Sequence, residues 1–181
     1  MKEEIIIAGF GGQGVLSMGK ILAYGGIMQD QEVSWLPSYG PEMRGGTCNV
    51  SVVLSDKKIS SPVLSKFDTA VILNQQSMDK FEKQVKPGGL LIYDTNGITR
   101  HPERKDIKIC RIDAVEEAAK LGNAKAYNMV VLGAYLKMKP VVTMDNVIKG
   151  LKKSLPPRRH NLIPMNEQAN TVGMNAVVEV K

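Results

Sequence analysis

The sequence predicts an α/β fold with a mostly parallel, three-layer sheet, an antiparallel hairpin and a helical C-terminal third. Three observations lead to this expectation. Short apolar runs alternate with helix-like patterns through the first two-thirds of the chain, a glycine-rich turn joins the first run to the first helical pattern, and the last third turns helical. Strands that alternate with helices are typical of a parallel sheet covered on both faces.

The N-terminal elements are a strand, a helix and a second strand. Residues 4–8 form a short apolar run closed by Gly9, which is typical of a buried strand. Residues 15–28 carry apolar side chains at helical spacing. Residues 33–36 predict the second strand, which we expect Pro37 to end.

The middle of the chain predicts five strands and one helix. Residues 47–54 alternate in polarity, and we expect a return strand beginning at Ile59 to pair antiparallel with them. Proline and glycine at 86–89 predict a break before the next strand. The other expected elements are strands over 69–73, 90–93 and 107–112 and a helix over 78–85.

The last third predicts four helices. Asp113 and Glu116 form a capping-box-like start, and Thr143 is a suitable cap for a later helix. The expected helices run from Asp113 to about residue 121, over 128–138, from Thr143 to 154 and over 166–176.

The composition fits one soluble globular domain. The chain has 181 residues, of which 43% are hydrophobic and 23% charged, and its net charge is +6. These values argue against a disordered chain, while an acidic or phosphorylated partner stays open. We expect a cytoplasmic protein, because we find no signal peptide and no apolar run near the roughly 20 residues of a membrane span.

Cysteine and histidine are scarce. Cys48 and Cys110 are too few to ligate an iron–sulfur cluster and too far apart for a CxxC pair. His101 and His160 are the two histidines of the chain, and so small a number argues against a hydrolase that uses histidine in catalysis. We therefore expect no metal site in this chain.

A glycine-rich loop, GFGGQG at residues 9–14, follows the first predicted strand and opens the first predicted helix. Its glycines permit a tight turn, and a helix N-terminus offers free amides to an anion. A dinucleotide site requires an acidic residue at the end of the second strand to hold the ribose, but Glu32 precedes that strand. Three interpretations stay open: a dinucleotide, a tight crossing without ligand, or a phosphate, carboxylate or partner loop on the amides.

A second loop, SYGPEMRGGT at residues 38–47, connects two predicted strands. Arg44 offers a planar, permanently charged fork for a carboxylate or phosphate, and Gly45 and Gly46 let another backbone approach. Because the carboxyl ends of parallel strands meet at one edge, we expect this loop to face residues 11–14. A surface loop with a solvated arginine is an equal alternative.

Together the two loops resemble those of the gamma subunit of 2-oxoacid:ferredoxin oxidoreductases. Similar motifs follow in order at Asn74-Gln75, 86–89 and 128–133, so the likeness covers nearly the whole chain. The form YGPEMRGG is most similar to the 2-oxoglutarate type, while pyruvate-type gamma subunits more often carry a version like FGPERRG.

The resemblance implies a single gamma-type catalytic domain over residues 1–181, active as one subunit of a complex. That complex oxidatively decarboxylates a 2-oxoacid on thiamine diphosphate with Mg²⁺, transfers the acyl group to coenzyme A and reduces ferredoxin through iron–sulfur clusters. Alpha and beta subunits carry the thiamine site, and clusters sit on the beta or a delta chain. For this chain the resemblance implies no bound cofactor and no catalytic residue, but a ligand- or partner-binding surface formed by Gly11, Gly12, Gln13, Gly14, Arg44, Gly45 and Gly46.

A basic stretch lies near the C-terminus. It is a solvated helix face, or it docks an acidic partner subunit or the phosphates of coenzyme A. No aromatic residues are interleaved, so we expect no nucleic-acid partner. The stretch consists of Lys149, Lys152, Lys153, Arg158, Arg159 and His160.

Two other functions compete with the oxidoreductase subunit. One is a free-standing Rossmann-like enzyme that binds a nucleotide through the glycine-rich loop. The other is a non-catalytic module that positions other chains. Self-association of the isolated chain into a homodimer stays open, since an uncovered apolar patch would favour it.

Overall fold

The computed structural model of this chain describes residues 1–40 and 46–180. Its seven strands are β1 (Lys2–Phe10), β2 (Glu32–Tyr39), β3 (Thr47–Ser55), β4 (Phe67–Ile72), β5 (Val85–Asp94), β6 (Lys108–Ile112) and β7 (Val178–Val180). The helices are α1 (Val15–Met28), α2 (Gln75–Phe81), α3 (Ala114–Lys120), α4 (Tyr127–Met138), α5 (Met144–Ser154) and α6 (Ile163–Ala176). None of these helices is long and apolar enough to cross a membrane.

One mixed sheet contains all seven strands, in the order β2-β3-β1-β4-β5-β6-β7. The central strands β1, β4, β5 and β6 are parallel. Antiparallel pairs extend the sheet at both edges, β3 with β1 and β2 on one side and β7 with β6 on the other. The predicted α/β class, with parallel strands in the middle and a helical C-terminal third, is confirmed.

Two apolar cores cover the two faces of the sheet. The larger joins one face to α1 and to the helices of the last third, with Leu22, Val130 and Leu151 almost wholly buried. The smaller joins the other face to α2 through Met78 and Phe81. Helices therefore lie on both faces, and α1 and α2 leave β1 and β4 toward opposite sides.

Two expectations for the antiparallel region were wrong. Pro37 does not end β2, which continues to Tyr39, because an edge strand tolerates a residue without an N–H group. No return strand begins at Ile59; the described backbone there is irregular until β4. The partners of β3 are instead β1 and β2, so the hairpin is β2–β3.

The expected break at residues 86–89 was also wrong. β5 runs through it, and a register shift in its pairing with β4 absorbs the extra residues. Gly88 adopts a φ of 76°, a left-handed conformation that favours glycine. The helix expected over 78–85 instead spans Gln75–Phe81, with a 3₁₀ turn at Glu82–Gln84, and the short β7 was not predicted.

The start of α3 differs from the expected capping box. Asp113 makes no side-chain cap bond, because its carboxylate accepts a hydrogen bond from the Thr95 hydroxyl. The amide of Ala114 donates instead to the Asp94 carboxylate at 3.2 Å. A side chain at the end of β5 thus caps the helix that follows β6.

Candidate functional site

Two glycine turns meet at the carboxyl edge of the parallel strands. β2 runs in the same direction as β1, because two antiparallel pairings separate them. The segment after β2 therefore starts beside the loop after β1. The Gly11 amide donates to the Gly46 carbonyl at 2.9 Å, so these two predicted site residues lie together. Arg44 and Gly45, the other predicted residues of that loop, lie outside the described residues.

The glycine-rich loop needs glycine at two positions for its backbone alone. Gly12 and Gly14 have φ angles of 95° and 79°, which L-residues with a side chain rarely adopt. A Cβ atom on Gly14 would also lie 2.6 Å from the side chain of Asn128, at the start of α4. The sequence pattern therefore reflects both the turn and a close contact with α4.

Gln13 ties the loop to the sheet. Its Oε1 accepts a hydrogen bond from the Phe10 amide at 2.6 Å, and its Nε2 donates to the Leu73 carbonyl at 3.4 Å. Both ends of the side-chain amide are thus engaged inside the protein. Gln13 therefore holds the shape of the loop, in which the amides of Phe10, Gly11 and Gln13 all donate to acceptors of the protein.

The first turn of α1 offers donors to an anion. Gly14 is the N-cap residue and supplies no side-chain acceptor. Among the described residues, no acceptor bonds the amides of Val15, Leu16 or Ser17. Free amides at the start of a helix, together with the positive end of its dipole, form an anion-binding arrangement.

A cleft of about 670 Å³ opens over this helix start. Its walls are the glycine-rich loop, the first turn of α1, Tyr39, Cys48 and Arg159. Arg159 comes from a 3₁₀ turn at Pro157–Leu162, far along the chain from the loop. The sequence placed Arg159 in a basic stretch but carried no signal that it would reach the cleft, since only the packing of the C-terminal helices brings it there.

The turn that carries Arg159 is fixed to the end of α5. His160 Nε2 lies 3.0 Å from the carbonyl oxygens of both Lys152 and Leu155. Both partners are acceptors, so this nitrogen carries the proton and donates. The imidazole thereby closes the C-terminus of α5 and sets the position of the adjacent arginine.

The cysteine in the cleft has the properties of a buried apolar residue. Cys48 is 7% exposed, and burial raises the pKa of its thiol, so the reactive thiolate is disfavoured at neutral pH. Cys110 on β6 is fully buried with its pKa raised to about 11. Three strands separate β3 from β6 in the sheet, so the two thiols cannot share a cluster. Within residues 1–40 and 46–180, no three His, Cys, Asp or Glu side chains are grouped to hold a metal ion.

A buried carboxylate fixes the neighbouring part of the same edge. Asp94, at the end of β5, is 1% exposed and accepts a hydrogen bond from the Tyr127 hydroxyl at 2.8 Å. Burial raises the pKa of Asp94, partly offset by that bond and by backbone donors. Tyr127 opens α4 and precedes Asn128, the residue against Gly14. Asp94 thus positions the start of α4 beside the glycine-rich loop, a role that sequence reasoning missed.

Comparison with known proteins gives a consistent family. The family model described as pyruvate ferredoxin/flavodoxin oxidoreductase matches residues 4–176. The 2-oxoglutarate synthase subunit KorC of Methanothermobacter marburgensis is 35% identical over 164 residues, which cover 87% of this chain and 88% of KorC. The ketoisovalerate oxidoreductase subunit VorA of Methanothermobacter thermautotrophicus is 42% identical over 135 residues, 75% of this chain. That match spans only 28% of the length of VorA.

A solved structure has the same fold throughout. The gamma subunit of a keto/oxoacid ferredoxin oxidoreductase from Geobacter sulfurreducens PCA superposes with a TM-score of 0.80 at 27% identity. The match covers 96% of each chain. The fold that carries the glycine-rich loop is therefore shared over nearly the whole length of both chains.

Proposed function

This chain belongs to the pyruvate ferredoxin/flavodoxin oxidoreductase family, and we propose that it is the gamma subunit, a single domain, of a 2-oxoglutarate:ferredoxin oxidoreductase. The observation that best supports this proposal is the match to KorC, because it extends over nearly all of both chains. The higher identity to VorA favours ketoisovalerate as a second candidate substrate, but over a small part of that protein. The pocket for the 2-oxoacid belongs to the partner subunits in this proposal.

The proposed reaction removes CO₂ from the 2-oxoacid, joins the remaining acyl group to the thiol of coenzyme A and passes two electrons to ferredoxin. Thiamine diphosphate, Mg²⁺ and the iron–sulfur clusters belong to alpha, beta or delta partner subunits. The donor set supports this division for the clusters, because Cys48 and Cys110 lie on separate strands and cannot supply the four ligands of a cluster.

The contribution of this chain is an anion-binding and docking surface. The free amides of Val15, Leu16 and Ser17 suit a phosphate group, as do the positive helix end and the Arg159 guanidinium on the same cleft. Coenzyme A carries such phosphates and supplies the acyl-accepting thiol when bound. Among the residues proposed from the sequence, Gly11, Gly12, Gly14 and Gly46 shape this surface and Gln13 supports it. We assign Arg44 and Gly45, which lie outside the described residues, to the same surface.

The free-standing nucleotide-binding enzyme is less well supported. A dinucleotide site uses an acidic side chain at the carboxyl end of the second strand to hold a ribose. β2 instead ends in Ser38 and Tyr39, while Glu32 stands at its opposite end. Within residues 1–40 and 46–180, the anion site therefore lacks the acidic ribose partner that the nucleotide hypothesis requires.

Reconstitution tests the proposal. The alpha and beta subunits of the same organism, with delta where one exists, are combined with or without this chain, and ferredoxin reduction is followed with coenzyme A and 2-oxoglutarate, ketoisovalerate or pyruvate. We expect reduction that depends on this chain and is fastest with 2-oxoglutarate. Full activity without the chain would contradict a role in the reaction and leave this chain as a positioning module. Faster ferredoxin reduction with ketoisovalerate would make ketoisovalerate the substrate instead of 2-oxoglutarate.

A further inference from the structure

The net positive charge of this protein is concentrated in one short part of the chain. Residues 146–166 contain five basic side chains and no acidic one, whereas the other 160 residues carry 19 basic and 18 acidic side chains. The chain is therefore close to neutral elsewhere. We call the five side chains the basic surface: Lys149, Lys152, Lys153, Arg158 and Arg159.

The fold places these charges on one side of the molecule. Spacings of three and four residues put Lys149, Lys152 and Lys153 on a common face of α5. The other face is buried, and at Gly150 a Cβ atom would lie only 2.8 Å from the Ile21 carbonyl of α1. The His160 bonds to the end of α5 then hold the two arginines next to the lysines.

The basic surface is not neutralised within the described part of the chain. None of its five side chains forms an ion pair there, although all five are exposed. Basic residues elsewhere do pair, as Lys86 does with Glu4 and Asp68. Unpaired like charges repel one another, so binding of a negative surface removes an unfavourable interaction.

The surroundings decide which negative partner fits. The apolar face of α5 is already buried, and Leu162 is the one large hydrophobic side chain exposed within residues 146–166, which is too little apolar surface to insert into a lipid membrane. Residues 146–166 contain no aromatic side chain on which nucleic-acid bases could stack. Arg159 lines the cleft above the glycine-rich loop, so a partner seated on the basic surface would also border that cleft.

We propose that the basic surface docks an acidic face of a catalytic partner subunit and closes the cleft against it. This inference rests on the proposed function, which supplies the partner. Complementary charge across an interface speeds association, and salt weakens that effect. The assembly rate of the complex therefore reports on the surface separately from its catalysis.

The experiment compares two triple charge reversals in the full chain. K149E/K152E/K153E alters the basic surface, and K57E/K58E/K105E makes the same change in charge at exposed, unpaired lysines elsewhere among the described residues. Association with the purified alpha and beta subunits is followed at 50 to 500 mM NaCl. K149Q/K152Q/K153Q removes the same charges without reversing them and is therefore less disruptive to the fold. Thermal unfolding verifies that each variant is folded.

We expect the basic-surface reversal to slow association at least about tenfold at low salt and to flatten the salt dependence, since electrostatic steering acts on this scale. The control reversal should change the rate less than twofold, and the glutamine variant should fall between. Equal rates for the two reversals, while wild type assembles into an active complex, would overturn the docking proposal alone. Normal assembly with a raised KM for coenzyme A would assign the surface to phosphates instead, and a wild-type chain that neither binds nor supports turnover would overturn both proposals.

Discussion

The amide of Gly11 donates to the carbonyl of Gly46 across 2.9 Å, which joins two turns that are far apart in the sequence. One turn follows β1 and the other precedes β3. The contact holds Gly46, just before β3, beside the glycine-rich loop at the carboxyl edge of the parallel strands. A change at Gly46 should therefore affect Gly11, which lines the cleft.

Replacing Gly14 with alanine should destabilise the isolated chain. The left-handed φ costs roughly 1–2 kcal/mol for a residue with a side chain, and the contact with Asn128 adds to it. For a chain of this size the strain alone lowers Tm by about 2–8 °C in a thermal scan. N128G/G14A, compared with N128G alone, is the matched control, since glycine at 128 removes every side-chain atom that the new Cβ would meet and leaves the strain. Equal melting of G14A and wild type would contradict the described loop.

Replacing Arg44 with alanine should lower turnover of the reconstituted complex. The guanidinium is proposed to hold a partner carboxylate or a phosphate, and removal of a charge-assisted hydrogen bond costs about 1.5–3 kcal/mol. The Tm of the isolated chain should stay the same. Lys105→Ala, at an exposed lysine on a different depression, is the control. Unchanged turnover in R44A would contradict a functional role of Arg44 and leave the loop a structural role only.

The Asp94–Tyr127 pair should give stability a specific pH dependence. Because burial raises the pKa of Asp94 in the folded state, this carboxyl favours folding while protonated, and its contribution is lost as pH rises from the ordinary value of 3.8 through the raised one. Asp94→Asn, which cannot ionise, should lose less stability than wild type over that rise. Urea unfolding from pH 3.5 to 7 measures the difference, and parallel curves for the two proteins would contradict it.

Tyr127→Phe should be costly at neutral pH. It leaves the buried Asp94 carboxylate without its 2.8 Å donor, at a cost of about 1–3 kcal/mol. The cost should shrink as the carboxyl protonates at lower pH. The same urea series measures it, with Tyr24→Phe as a control at a half-buried tyrosine on α1.

Glu82 should hold the segment that leads to β6. Its buried carboxylate accepts hydrogen bonds from the amides of Glu103 and Arg104 and from the Arg100 guanidinium. Glu82→Ala should cost about 1–3 kcal/mol and speed hydrogen exchange at those amides. Asp79→Ala, which removes an exposed partner of Arg100 and Gln75 but no bond to the Glu103 and Arg104 amides, should leave those amides protected. Unchanged exchange in E82A would show that the segment is held by other contacts.

Local patterns were enough to predict some elements closely. α1 spans the expected residues 15–28, because a glycine turn marks its start and apolar spacing defines its face. The end of β2 was misplaced because Pro37 is typical of a strand end unless the strand is known to lie at an edge. Edge position is a property of the whole sheet and is absent from any short stretch of sequence.

In the candidate site, too, local features could be predicted from the sequence and contacts between distant residues could not. The glycine-rich loop was predictable because strand, turn and helix are consecutive. Arg159 and Asp94 reach this edge from other parts of the chain, through helix packing and the order of the strands. Only the three-dimensional structure brings them beside a loop they do not follow in sequence.

Pro37 has a consequence for the chain outside its complex. β2 is a long outer strand, with Leu36 and Tyr39 exposed beside the proline. An exposed edge strand can pair with a strand of another chain, and proline is one of the residues that prevent this pairing. Pro37 offers no N–H, so an added strand would lack one donor near the C-terminal end of β2. We therefore expect this proline to disfavour strand addition, and with it aggregation, in the unassembled subunit.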